Sequence, residues 1–482
     1  MTQNNNKKII ISLGLFFLIA FFGFPKMSQA ATSVTQYGIT WTFDTDYTVG
    51  QFVNGDYWAV GPVTIIGITP QSVDQGGRII NGSEINPDPN GTTQGYDSAM
   101  GYNIFDSQLN VAYNVSSGTP LIVPVNSSLV STISHPTPAN VPQIKSAAVL
   151  TILSTIPPTN SFRPPFAGSN KTILHNEAEI DYTKLKALTP TTLAPTISNL
   201  TDSFARIWLD YRGGSPGRMI HPADNMPDYG REISTLSGEA ALMLNCNFTN
   251  VEKRNLMIGY LQWGLDIWGV LQTGFGGWEQ DGGHGGGRKF PILFAGVILG
   301  DAAMAGVGQL PYNDPIFGED QTTIYLTEYE ATRYIGIDDK YPANNEHRDF
   351  SDAYYTSADW NYVNPNGEIG IAEYSKEYST PFQGRWISKR KDASYRECCH
   401  ANGFTGWILA TYVMGLKDKW NHDALFDYVD RYIDWSKELG STSWYIHKSP
   451  FAREMWDTYR ASYNDVVNDI TPPAAPTGLS VL

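Results

Sequence analysis

Residues 290–306 read FPILFAGVILGDAAMAG, and residues 403–416 read GFTGWILATYVMGL. The first stretch carries one charged residue, Asp301, and the second carries none. A helix that is apolar on every side must be enclosed by other elements of the fold. The two stretches are therefore predicted to form helices buried inside the protein.

Segments with a helical period surround these two stretches. Apolar side chains recur at steps of three and four in residues 251–273, and residues 421–439 repeat that pattern. Amphipathic helices of this kind shield buried helices from water, which predicts an inner and an outer ring of helices. The expected architecture of residues 196–465 is an α/α toroid or incomplete barrel, and a plain helical bundle is the alternative.

The chain before these helices has the composition of a β-structure. Runs such as 38–43 (GITWTF) and 58–66 (WAVGPVTII) are rich in β-branched and aromatic residues, and turn-forming residues separate them. Their spacing predicts a β-sandwich-like domain over residues 31–195. The expected fold class is therefore α+β and multidomain, with the β-rich domain first.

Both ends of the chain carry signals of their own. Two lysines precede the apolar run 9–22, and small residues occupy 28 and 30, so residues 1–30 are predicted to be a secretory signal peptide. The protein is expected to be extracellular, periplasmic or attached to the cell surface, without membrane insertion once the signal is removed. Residues 466–482 resemble a linker and the first strand of a truncated fibronectin III-like module.

Charge and cysteine content exclude some classes of protein. The 33 basic and 48 acidic residues give a net charge of −15, and loss of three lysines with the signal lowers it to −18, which argues against a nucleic-acid partner. Cys246, Cys398 and Cys399 are expected to be three buried thiols, although one bridge among them is conceivable. No motif of standard spacing indicates a metal or another cofactor.

A glycine-rich segment at 278–289 (WEQDGGHGGGRK) is the most informative motif. Five glycines surround His284 and are expected to leave its imidazole accessible. Arg288 and Lys289 stand where a helix should begin, so the segment is interpreted as an anion site with a base, bordered by Trp278. The alternative is a flexible turn with a capping histidine.

A second segment, 219–232, leads into another predicted helix. It contains His221, Tyr229 and Arg231 together with several carboxylates. Loops of this composition beside a rigid helix favour catalysis, although many are only solvated surface.

A third segment, 394–403, directly precedes a predicted buried helix. Tyr395, Arg396, His400 and Asn402 lie together where a helix start favours a negative group. The alternative is an ordinary helix cap by Asn402. Upstream, Arg385 belongs to a run of cations that could form a subsite for an anionic polymer.

Histidine, tyrosine and arginine around one cleft suit β-elimination on a uronate polysaccharide. That reaction needs a group that neutralises the carboxylate, a base for the C5 proton and an acid for the leaving oxygen. His284 is expected to be the base or the neutraliser, and Tyr395 or Tyr229 the acid. The predicted catalytic residues are His284, Tyr395, Tyr229 and His221. The predicted substrate-binding residues are Arg288, Lys289, Arg396, Asn402, Arg231, His400, Arg385 and Trp278.

Three stretches also resemble a known family. The GHGGGRK loop, the YRECCHANGF segment and the amino-terminal WTFDTDYTVGQFVNGDYWAVGPVTI are similar to secreted bacterial helical-toroid polysaccharide lyases that act on alginate or glucuronan. The likeness spans most of residues 37–460. It implies a secreted lyase with an anionic polysaccharide as substrate, but it does not by itself assign catalytic residues.

Two other functions fit the same composition. An inverting glycoside hydrolase on an α/α toroid would need two carboxylates roughly 6.5–9.5 Å apart. Its candidate carboxylates are Glu239, Glu279, Asp281 and Asp224. A non-catalytic carbohydrate-binding surface protein would need only an aromatic-lined groove.

Overall fold

The computed structural model describes residues 28–101, 103–138, 143–226, 230–279, 283–311, 314–326, 371–374, 400–438 and 449–463. The predicted signal as far as residue 27 and the predicted linker at 466–482 lie outside these ranges. The first strand begins at Gln29, so cleavage after Ala30 would remove its first two residues.

The β-rich region comes first, as predicted. Its strands are β1 Gln29–Gln36, β2 Ile39–Gln51, β3 Tyr57–Val60, β4 Val63–Thr69, β5 Val73–Asp74, β6 Ile79–Ile80, β7 Ser83–Ile85, β8 Leu121–Val123, β9 Ser127–Ser134 and β10 Ile144–Leu153. Eight of these strands form one nearly barrel-shaped sheet in the order β7-β9-β10-β3-β2-β4-β8, with β1 paired to β2. Its strand pairs are antiparallel except for β3 with β10.

Strand β2 shows why this region folds as a sheet. Ile39, Trp41 and Phe43 alternate with threonines and point into the core. Side chains two residues apart lie on the same face of a strand, so this alternation gives β2 one apolar face. The indole N–H of Trp41 donates to Ser131 Oγ of β9 at 2.9 Å, which ties the two strands together across the core.

Strand β10 is buried on both faces. Ala148, Leu150 and Ile152 belong to the core enclosed by the sheet. Ala147 and Val149 belong to the larger core formed with the helices. The sheet and the helical region therefore share an apolar boundary along this strand.

In the ranges that the structure describes, the second half of the chain is mainly helical. The α-helices are α1 Ile197–Phe204, α2 Gly214–Ile220, α3 Gly230–Leu244, α4 Asn250–Gln272, α5 Lys289–Leu299, α6 Ala302–Ala305, α7 Gly318–Thr322, α8 Ala401–Met414, α9 Lys417–Trp420, α10 Asp423–Glu438 and α11 Pro450–Tyr459. Short 3-10 helices cover Glu177–Glu179, Tyr182–Lys184, Val307–Gln309 and Arg460–Tyr463. Two small ribbons add β11 Gly277–Trp278 with β12 Ile316–Phe317, and β13 Thr323–Leu326 with β14 Ile371–Tyr374.

Helices α5 and α8 are buried almost all round, as their sequences predict. Helix α5 packs on α4, where Gly264 lies against the carbonyl of Pro291. Helix α8 packs on α3, where Gly406 meets Gly238. In both pairs a glycine allows the two backbones to approach closely.

Two predicted helices differ from those observed. The stretch 290–306 divides, because α5 ends at Gly300 in the left-handed conformation and Asp301 caps the separate helix α6. The helix predicted to be amphipathic at 251–273 forms as α4, but it is buried over most of its length. Its Gln262 exchanges two hydrogen bonds with the backbone of Arg163, which satisfies a polar side chain inside the core.

Candidate functional site

The three segments singled out in the sequence meet around Ser234 in the first turns of α3. Ser234 Oγ donates to the carbonyl of Gly403 at 3.0 Å and accepts the indole N–H of Trp407 at 2.9 Å, which fixes α3 against the start of α8. A Cβ placed on Gly287 would lie 2.8 Å from the same hydroxyl oxygen. The structure therefore brings the starts of α3 and α8 and the glycine-rich loop to one place.

A buried cluster of ionisable groups lies at this junction. Asp210 accepts hydrogen bonds from Arg288, at 2.9 Å from Nε and 3.4 Å from Nη2. His221 Nε2 lies 3.8 Å from Asp210 Oδ1. Asp210 and His221 are each 2% exposed and Arg288 is 1% exposed. The cluster thus contains two predicted site residues, His221 and Arg288, and a carboxylate absent from the predicted set.

The electrostatics of the cluster keep Asp210 ionised. Burial by itself would raise the pKa of this carboxyl, but Arg288 and His221 outweigh that effect and lower the pKa to about 2. Burial also lowers the pKa of His221, with Asp210 opposing and with Arg288 and His284 adding to the decrease. At neutral pH the arrangement is therefore a carboxylate facing a neutral imidazole.

Some buried polar atoms in this area have no hydrogen-bond partner. Within the part of the chain that the structure describes, this holds for both ring nitrogens of His221 and for the indole nitrogen of Trp278. Buried polar groups in proteins are nearly always hydrogen-bonded, to protein or to water. The ring nitrogens of His221 and the indole nitrogen of Trp278 therefore retain hydrogen-bonding capacity for water or for a polar ligand.

The predicted accessibility of His284 is wrong. Its side chain is only 8% exposed, and the surrounding glycines pack against the protein's own backbone. A Cβ on Gly285 would lie 2.2 Å from the carbonyl oxygen of Glu279, and Gly287 has a φ of +85°. Glycine is needed here for close packing and a left-handed turn, because any side chain would collide with the adjoining chain.

The predicted anion site at the start of α5 is occupied by the protein itself. Glu319 accepts the backbone N–H groups of Gly287 and Lys289, each at 3.0 Å. The ammonium of Lys289 donates to Asp320 Oδ2 at 2.6 Å and to the carbonyl of Trp420 at 2.7 Å. Both cations at this helix start, Arg288 and Lys289, are therefore paired with carboxylates of the protein.

The remaining described residues of the predicted set lie nearby in different surroundings. His400 is fully buried, with its ring 4.8 Å from that of Tyr374, and it occupies the cap position of α8. Asn402 is buried within α8, so the alternative in which it caps this helix is wrong. Arg231 donates to Glu232 at 3.0 Å and is partly exposed. Trp278 is buried and stacks on Phe317.

Several predicted residues lie outside the described ranges. These are Tyr229, Arg385, Tyr395 and Arg396, the carboxylate candidate Asp281, and the two cysteines Cys398 and Cys399. Cys246 is a free thiol in the core, and burial raises its pKa to about 12.

The carboxylates proposed for a hydrolase have separate environments. Glu239 is bonded to Ser449 Oγ at 2.7 Å, and burial raises its pKa. Asp224 pairs with Arg206 at 3.3 Å, and Glu279 is exposed.

Asp210 and Glu319 are absent from the predicted set although they organise the cluster. Asp210 stands alone in the apolar run 207–211 (IWLDY), which is the one local signal that it is buried and paired. Glu319 lies 32 residues after the amide of Gly287 that it accepts. No local pattern connects positions so far apart in the chain.

Over the described ranges, no group of three or more His, Cys, Asp or Glu side chains is arranged to hold a metal ion. The same ranges contain no helix with the length and hydrophobicity that a membrane crossing requires. Comparison with protein-family models, with curated proteins and with solved structures gives no match for this chain.

Proposed function

We propose that this protein is a polysaccharide lyase that cleaves a uronate-containing polymer of the alginate or glucuronan type by β-elimination. The observation that carries the proposal is the convergence of His221 and Arg288, which come from two separate predicted segments, on the buried carboxylate of Asp210. His284 lies close enough to lower the pKa of His221 through its charge. An imidazole base with a carboxylate partner is a group that such a reaction needs.

His221 is assigned as the base in this proposal. Its lowered pKa leaves the imidazole neutral near pH 7, so that it can accept the C5 proton of the uronate. The ionised carboxylate of Asp210, 3.8 Å from Nε2, would stabilise the imidazolium that forms. As the C5 proton leaves, a double bond forms between C4 and C5 and the C4–O bond breaks.

The other two roles are assigned to other residues of the predicted set. His284 is assigned to the substrate carboxylate, where a hydrogen bond donated by its imidazole N–H would make the C5 proton more acidic. Tyr229 or Tyr395 is assigned as the acid that protonates the leaving oxygen. Arg288 holds Asp210 in place in this scheme, because its guanidinium already donates to that carboxylate.

The finer features of the fold are part of the same proposal. We propose that the helical region is an incomplete α/α toroid with the site at its mouth and that the β-rich region is sandwich-like. We also propose that the protein is secreted, which would place it with an extracellular polymer. Two buried helices, α5 and α8, packed against α4 and α3 support the toroid.

The test is incubation of the purified protein with alginate, with glucuronan and with neutral glycans. A lyase produces a C=C bond conjugated to the carboxylate, so the near-ultraviolet absorbance of a uronate polymer should rise. His221→Ala should abolish the rise, whereas Asp457→Asn at the surface ion pair with Lys437 should preserve it. New reducing ends without absorbance would indicate a hydrolase instead, and no product from any polymer would favour a binding protein.

A further inference from the structure

We infer that Glu319 is a positioning residue of the proposed site. It holds the glycine-rich loop and Arg288 in the position in which Arg288 bonds Asp210 and Asp210 faces His221. The inference rests on the proposed function for its catalytic meaning. Its structural basis is a carboxylate with no exposed surface that binds the backbone on both sides of Arg288.

Glu319 supplies hydrogen-bond acceptors at the start of α5, where the cap residue itself supplies none. The first N–H groups of a helix have no partner within the helix and usually bond to a capping side chain. Here Arg288 occupies the cap position and its side chain makes no capping bond. Glu319 Oε2 accepts from Gly287 N and Oε1 from Lys289 N, both at 3.0 Å, so the cap comes from a distant helix, α7. A negative group is also favoured at this end of the helix dipole.

The two hydrogen bonds that Glu319 accepts lie on either side of Arg288, whose side chain reaches the buried ionisable cluster. Arg288 lies between the two amides that Glu319 holds, and its guanidinium bonds Asp210. Asp210 in turn faces His221. Loss of the cap would let residues 287–289 shift, and the position of Asp210 relative to His221 would shift with them.

Glu319 is distinct from the carboxylate beside it. Asp320 pairs with the side chain of Lys289 and with the indole N–H of Trp420. Glu319 contacts the backbone amides instead, while its own carbonyl accepts from Thr323. Glu319 therefore fixes the course of the backbone around Arg288, whereas Asp320 neutralises the charge of a partner side chain.

The experiment compares wild type with Glu319→Ala and Glu319→Gln. The matched control is Glu252→Gln, because Glu252 also accepts a backbone N–H at a helix start, that of Thr249, but at the solvent-exposed start of α4. The first readout is the titration of His221, followed by NMR of histidine labelled with 15N. The second is kcat and KM on the uronate polymer that wild type cleaves.

We expect wild type, E319Q and E319A to rank in that order in both readouts. In E319A the titration midpoint of His221 should move, and kcat should fall roughly 100-fold with little change in KM, as for a misplaced catalytic group. E319Q keeps one acceptor oxygen, so it should lie between wild type and E319A in both readouts. The control should match wild type in both. If E319A fails to fold, the comparison of E319Q with wild type tests the inference.

The two proposals can fail separately. If wild type cleaves no uronate polymer but the His221 titration moves in E319Q, the proposed function is wrong and Glu319 remains the positioning residue. If His221 titrates identically in wild type and both variants, the inference is overturned whatever the activity. A normal kcat in E319A would overturn it as well.

Discussion

Asp210 retains its negative charge inside the protein because Arg288 and His221 face it. A carboxylate buried alone would become protonated, but here the positive charge of Arg288, together with His221, holds the pKa at about 2. The pair therefore has a large part in the stability of the region as well as in its proposed chemistry.

Replacing Asp210 with asparagine should be strongly destabilising. The change removes the carboxylate that faces the buried guanidinium of Arg288, which should lower the free energy of unfolding by about 3 kcal/mol. Urea denaturation measures this loss. Asp224→Asn at the partly exposed pair with Arg206 is the control and should cost less than about 1 kcal/mol. Equal losses in the two variants would contradict the prediction.

Glu319 should make stability depend on pH. Burial, together with the charge of Asp320, raises its pKa to about 7 from its usual 4.5, against the effect of the backbone N–H groups. The folded protein therefore keeps this proton to higher pH than the unfolded chain does. The free energy of unfolding of wild type relative to E319Q should fall between pH 5 and pH 8 by on the order of 2 kcal/mol. Denaturation curves at several pH values measure it, and a difference independent of pH would exclude a raised pKa.

At the scale of elements, close helix packing shapes the site. Helices α3 and α8 touch at Gly238 and Gly406, where a Cβ on Gly238 would lie 2.9 Å from the Cα of Gly406. The same pair of helices carries Ser234 and Trp407, whose hydrogen bond fixes the helix starts. The two glycines therefore set the distance between two of the predicted segments.

Gly238→Ala should destabilise the protein although alanine is the better helix former. Its Cβ would force the two backbones apart, at a cost of roughly 1–3 kcal/mol. The melting temperature should fall accordingly. Val251→Ala on the exposed side of α4 is a suitable control and should change stability by at most about 0.5 kcal/mol. An unchanged melting temperature for G238A would mean that the helices separate without strain.

At the scale of the whole molecule, one arginine joins the β-rich and the helical regions. Arg163 is buried between Asp56, which precedes β3, and Asp266 of α4, with a nitrogen-to-oxygen distance of 2.5 Å to each. One hydrophobic cluster also contains residues of both regions, including Val149 of β10 and Leu261 of α4. The two regions should therefore unfold together.

Arg163→Ala should separate their unfolding. Two buried carboxylates would lose their shared partner, which should cost about 4 kcal/mol. Wild type should show one urea transition by both tryptophan fluorescence and circular dichroism, and R163A two or a broadened one. Lys184→Ala, at a surface pair with Asp181, should leave the transition unchanged. Two transitions in wild type would show that the regions are independent.

Local patterns in the sequence determined the β-rich start, the buried helices α5 and α8 and the three segments that meet near Ser234. These features depend on the spacing of apolar residues and on glycines within the same segment. Residues close together in the chain therefore determine them. The tertiary structure alone decided that His284 is buried, that Arg288 pairs with Asp210 and that Glu319 caps α5. Each of these contacts joins residues at least 30 positions apart or depends on what packs against the loop. Contacts of this kind form only when distant segments come together, so no local pattern could have identified the partners.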